Sequence, residues 1–168
     1  MTDRGWHIDP TTLREVVTDE ALLRAQLTEA PAADRVWLLR LLGDLAASAR
    51  EGEQVLDAAA DRFRPLLLLA HTLQWQGRWR DAGRLQKEAL LLADTPGREA
   101  TARQHIGKRL VDEGRYAEAA EQFAVALRLR QAAGAGEDLV ASSRMALVRA
   151  QALAAGSAAD APDTRSRR

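Results

Sequence analysis

Asp112-Glu113-Gly114-Arg115-Tyr116-Ala117-Glu118-Ala119-Ala120-Glu121-Gln122-Phe123 is the stretch whose reading decides the fold. A glycine between a charged run and a large apolar residue suits the end of one helix and the start of an antiparallel partner, because glycine adopts left-handed backbone freely. After it, Tyr116, Ala119, Phe123 and Ala126 recur at helical spacing; before it, Ile106, Gly107 and Leu110 do the same. The arrangement returns upstream as Trp75-Gln76-Gly77-Arg78-Trp79 and, more loosely, as Leu41-Leu42-Gly43-Asp44-Leu45. The three glycines lie 34 and 37 residues apart. A period of that size marks stacked helix pairs.

Composition agrees. Ala (34) and Leu (25) supply 59 of 168 residues, whereas Val and Ile together supply ten. Ala and Leu lose little on entering a helix, and β-branched residues suit strands. The spacing predicts paired helices at 31–42 and 44–60, 62–76 and 78–94, and 96–113 and 115–132, with a last helix at 137–154 after Gly134-Ala135-Gly136. Asp9-Pro10, Ala30-Pro31 and Thr95-Pro96 read as helix starts. On that basis residues 10–28 are expected to be helical, broken near Thr18. Trp79, in the place of Tyr116, is expected in the core. The fold class is all-α: an α-solenoid of antiparallel helix pairs.

Several functions are disfavoured at this level. Lys plus Arg (24) balances Asp plus Glu (24), so no field favours nucleic acid or an anionic membrane. Of the basic residues only Lys87 and Lys108 are lysine, a bias that reads as GC-rich bacterial coding, with most arginines on solvated faces. The absence of cysteine excludes disulfides and thiolate chemistry. Met1–His7 shows no apolar signal region, and apolar runs reach about five residues against roughly 20 for a membrane helix. The expectation is a soluble, cytoplasmic chain. His7, His71 and His105 form no H-x-x-x-H pattern, although His71 and His105 lie 34 residues apart and fall on adjacent helices. Ser142 and Ser143 sit inside a predicted helix without an oxyanion hole. No cofactor, metal or catalytic constellation is expected, and the chain reads as a non-enzyme.

The units resemble the tetratricopeptide repeat family, whose repeat of about 34 residues carries a W-x2-L-G-x2-Y…A-x3-F…P pattern. Ile106-Gly107-x-x-Leu110, Gly114-Arg115-Tyr116 and Ala119-x-x-x-Phe123 carry the third unit. Leu69-Ala70-x-x-Leu73, Gly77-Arg78-Trp79, Ala82 and Ala89 carry the second, with Gln86 in place of an aromatic residue. The first is degenerate: Leu39, Gly43, Leu45 and Val55 remain, but Ser48 and Gly52 stand where alanine and an aromatic are usual. None of the units ends in the family's proline. The resemblance implies about three repeats and a C-terminal capping helix within residues 29–155, in a right-handed superhelical array. An N-terminal helical segment at 1–28 precedes them, and a disordered tail at 156–168 follows.

By the same resemblance, the first helices line a concave groove that binds a protein or peptide segment. Its lining would include Trp37, Arg40 and Leu41, then Arg64, Leu67, His71, Gln74 and Trp75, then Thr101, Gln104, Lys108, Val111 and Asp112. Trp37 and Trp75 suit either the groove or the core between repeats. The family's Lys/Asn clamp for C-terminal carboxylates is not matched, because Leu67, His71, Gln104 and Lys108 occupy its places and the chain contains no asparagine. A preference for acidic peptides stays open. The alternative is a structural role through self-association as a homodimer.

Overall fold

The computed structural model describes residues 4–159. Within them, strands β1 (Trp6–Ile8) and β2 (Glu15–Val17) precede helices α1 (Glu20–Glu29), α2 (Ala32–Leu41), α3 (Leu45–Ala58), α4 (Phe63–Trp75), α5 (Trp79–Leu91), α6 (Pro96–Asp112), α7 (Tyr116–Ala132) and α8 (Glu137–Ala159). The helices pack in sequential antiparallel pairs, α2/α3, α4/α5 and α6/α7, with α8 covering the open side of α7. Gly43, Gly77 and Gly114 have φ of +83°, +74° and +76°, so all three expected turns use the left-handed conformation. Thr95 caps α6 through Arg98 N–H (3.2 Å), and Asp44 caps α3 through Ala47 N–H (2.9 Å).

Small residues set the distance between helices. A Cβ built on Gly107 would lie 2.5 Å from Cε1 of Phe123, so α6 and α7 approach where only hydrogen fits. The degenerate first unit has its own solution. Ser48 is fully buried, and its hydroxyl lies 2.7 Å from both the Val36 carbonyl and the Thr72 hydroxyl. Gly52 lies against Leu69 of the next repeat. Gln86, buried where an aromatic would stand, donates to the His105 carbonyl (3.2 Å) and accepts from Arg109 Nε (2.8 Å). Polar satisfaction thus replaces ring packing between α5 and α6.

Three expectations are corrected. Residues 10–28 are not a broken helix. Residues 6–17 form an antiparallel hairpin with Trp6 opposite Val17 and Ile8 opposite Glu15, and α1 starts only after Asp19, which caps it through Leu22 N–H. Asp9 does act as a capping residue, but of a turn: its carboxylate accepts from Thr11 N–H (2.7 Å) and the Thr12 hydroxyl (3.1 Å). Trp79 is 40% exposed and lies outside the core, at the first position of α5. Finally, α8 runs on through Ala159, so residues 156–159 of the expected disordered tail are helical. The rest of that tail lies outside the described residues.

Candidate functional site

The first helices of the pairs, α2, α4 and α6, together with α8, share one face, and the hairpin lies across it. At one end Trp6 meets Trp37 of α2 edge-to-face, with ring centroids 5.3 Å apart. At the other, Arg149 of α8 donates to the Thr11 carbonyl at 2.8 Å. Between them Leu13, 3% exposed, enters a core cluster with Leu110, Phe123, Ala146 and Ala150. Its N–H closes the turn onto the Asp9 carbonyl (2.8 Å), and its backbone sits at φ of +59°, a conformation a leucine rarely takes.

Charge organises the middle of the face. The Glu15 carboxylate accepts from Arg40 at 3.2 Å and lies 3.6 Å from Lys108 Nζ. Burial pushes this carboxyl up, but Arg40 and Lys108 outweigh burial and hold it below the usual carboxylate range. Arg14 pairs with Asp112 at 3.0 Å, and the Gln74 side-chain amide donates to the same carboxylate at 2.7 Å. The Trp75 ring lies beneath two guanidinium groups, those of Arg40 (4.7 Å) and Arg14 (5.6 Å). The rings of His71 and His105 meet edge-to-face at 5.3 Å. Burial and then the neighbouring cations, Arg40 first, drive His71 well below 6.5. Burial and Lys108 lower His105 to about 3, against a weaker opposing pull from Glu15. Both imidazoles are therefore neutral near pH 7. His71 Nε2 lies 3.8 Å from Glu15, so the pair is adjacent without a hydrogen bond.

Ten of the thirteen residues expected to line a groove fall into three groups; of the others, Leu41 is buried with Leu23 and Leu38, and Val111 packs against the cluster of Leu110 and Phe123. Arg40, His71, Gln74, Trp75, Lys108 and Asp112 converge in the cluster around Glu15 and Arg14, and Trp37 joins them through Trp6. Leu67 is 4% exposed and belongs to the core between α3, α4 and α5, and Gln104 accepts from the Ser143 hydroxyl (2.8 Å), which in turn accepts from Arg130 (2.8 Å). Arg64 stands apart at the surface, paired with Asp34 of α2. Sequence reasoning does not single out Trp6, Leu13, Arg14, Glu15 or Arg149. The available signal is the β-branched pair Val16-Val17 beside Trp6-His7-Ile8, too short for periodicity to register.

This arrangement can bind and hold a carboxylate. Among the described residues, no group of three or more His, Cys, Asp or Glu side chains is placed to hold a metal ion. No described helix is long and apolar enough to cross a membrane.

A body of paired helices with an extended segment across their first-helix face defines the class: an α-helical repeat protein. Residues 61–132, which span α4 to α7, match the family model described as tetratricopeptide repeat, so this part of the chain is similar to the tetratricopeptide repeat proteins. Proteins of this family generally mediate contacts between proteins. Comparison with curated proteins gives no significant match.

Proposed function

We propose that this chain is a non-enzymatic interaction module that takes an extended protein or peptide segment on the face of α2, α4, α6 and α8. The observation that carries this reading is that an extended segment, residues 6–17, already lies there, met by aromatic, cationic and carboxylate side chains from all four helices. Tryptophan and arginine anchors of this kind dominate binding energy at protein interfaces. The test is to isolate a partner from native lysate, purify it, and titrate it against the wild-type chain and a folded Lys108→Ala variant. Loss of at least tenfold in affinity supports the face assignment, and unchanged affinity with an intact fold rejects it.

A second reading, self-association, is favoured by the outer side of α8. Val148 is 60% exposed there, and a shallow cavity of about 500 Å³ lies between Pro10, Ala141, Met145, Val148 and Ala152, with Arg144 and Arg149 at its edge. Light scattering across micromolar concentrations separates the readings. A constant 18.4 kDa particle removes this one.

A further inference from the structure

We infer that residues 6–17 hold the place of the partner: the face takes an extended acidic segment whose buried carboxylate follows an apolar anchor by two residues, and the hairpin must leave for it to bind. The inference rests on the interaction reading above and names both the partner's chemistry and what regulates access to it.

The first support is the way the hairpin is attached. Its strands hydrogen-bond to each other, and its charged and polar contacts to the helix face include Arg40 and Lys108 on Glu15, Asp112 and the Trp75 ring on Arg14, and Arg149 on the Thr11 carbonyl. Groups that recognise a carboxylate and a carbonyl on this chain meet the same groups on another. The second is charge. The buried cations Arg40 and Lys108 share the single carboxylate of Glu15, while Asp112 is taken up by Arg14. A segment with more negative charge than the hairpin matches this face better.

The third is that the present fit is incomplete. Gln74 Oε1, Trp75 Nε1 and His105 Nδ1, all in the cluster around Glu15 and Arg14, are buried without a hydrogen-bond partner among the described residues. Gln74 is 2% exposed, and Trp75 lies against both Arg14 and Arg40. Buried polar groups are normally satisfied, so an occupant with additional polar groups at this level is favoured over the hairpin. The fourth is strain. Leu13 sits at φ +59°, a penalty that a segment from elsewhere need not carry. A two-stranded hairpin is also marginal alone, so its release is a local event that leaves the helices paired.

The experiment uses full-length protein and a labelled synthetic peptide of residues 4–18, in its native form and as Glu15→Gln. Leu13→Ala in the full chain removes the hairpin's apolar anchor while every repeat residue, including its neighbours Leu110 and Phe123, is kept. The native peptide is expected to bind Leu13→Ala at least tenfold more tightly than wild type, and the Glu15→Gln peptide to lose at least tenfold on the same variant. Far-UV circular dichroism checks that the helices persist. Should Leu13→Ala fail to fold, Arg149→Ala, which removes only the contact to the Thr11 carbonyl, is expected to give a smaller gain of the same sign. No binding of the native peptide to a folded, loosened variant overturns the inference, as does equal binding of the two peptides. Dimerisation of the Leu13→Ala variant in light scattering also overturns it, by showing that a second copy's hairpin is the occupant. Tight binding of a purified partner with no peptide binding sinks this inference alone. Absence of both sinks the interaction reading as well.

Discussion

The guanidinium of Arg40 and the carboxylate of Glu15 meet at 3.2 Å with side-chain exposures of only 2% and 8%, joining the first repeat to the hairpin through a buried ion pair. Lys108 adds a second cation to the same carboxylate, at 3.6 Å. The two partners are therefore not equivalent. Glu15 is the anion shared by two cations, whereas Arg40 is one of two cations on Glu15.

Glu15→Gln leaves both cations without that counter-charge, and removing one partner of a buried pair typically costs about 3–5 kcal/mol. Arg40→Met leaves Glu15 with Lys108, and the expected loss is smaller, about 1–3 kcal/mol. The double variant Glu15→Leu/Arg40→Met should lose less than Glu15→Gln alone. A double-mutant cycle by urea denaturation checks the order, and equal losses for the two single variants would contradict it.

Acid should weaken the fold well before ordinary carboxylates titrate. His71 and His105 are neutral in the folded chain, with folded pKa values below the unfolded value of about 6.5. The unfolded chain thus binds more protons as pH falls below about 6.5, and stability drains continuously towards the His105 value of about 3. Glu15 adds to this below its unfolded value near 4.5, because its folded value is lower still and its contribution is lost as pH falls through it. Urea midpoints between pH 7.5 and 5 should fall, and His71→Gln/His105→Gln should flatten the slope. A flat wild-type profile over that window would exclude the scheme.

Two helical glycines should respond oppositely to alanine. At Gly107 the added methyl meets Phe123 at 2.5 Å, and overpacking of this kind costs about 1–3 kcal/mol. Phe123→Leu should recover part of that loss. At Gly83 the methyl meets the Arg109 guanidinium at 3.4 Å, ordinary contact, so the helix gains about 0.5–1 kcal/mol. Thermal melts of the two variants give the signs directly.

At residue 13 glycine should outperform alanine. Both truncations remove the buried leucine side chain, but φ of +59° penalises alanine by about 1–2 kcal/mol and spares glycine. Leu13→Gly should therefore hold the hairpin better than Leu13→Ala, reversing the usual order of the two residues in a folded chain. Native-state hydrogen exchange at the β1–β2 amides reports it.

The repeats are legible in the sequence because their determinants are local. Gly43, Gly77 and Gly114 each punctuate a helix pair within a few residues, and the stripes Tyr116/Ala119/Phe123 and Leu66/Leu69/Ala70/Leu73 repeat often enough to register. The hairpin is not, since each strand has three residues and its stability comes from contacts with helices distant in the sequence. Asp9-Pro10 misleads for a physical reason: an aspartate that accepts from N–H groups two residues ahead closes a turn with the same chemistry that starts a helix. The cluster residues Arg40, His71, Lys108 and Asp112 can be found as a helix face. Their meeting point, Glu15, cannot, because the 25 and 93 positions separating it from Arg40 and Lys108 leave no pattern along the chain.

The bond from Arg149 to the Thr11 carbonyl has a consequence for how the molecule is made. It spans 138 residues, and Leu13 likewise waits for Ala146 and Ala150 of α8. Synthesis at roughly 5–20 residues per second leaves the hairpin segment without its last partners for about 7–30 seconds after it emerges. The helix pairs assemble from neighbours during that interval, so the hairpin is seated only after the helices that follow it along the chain.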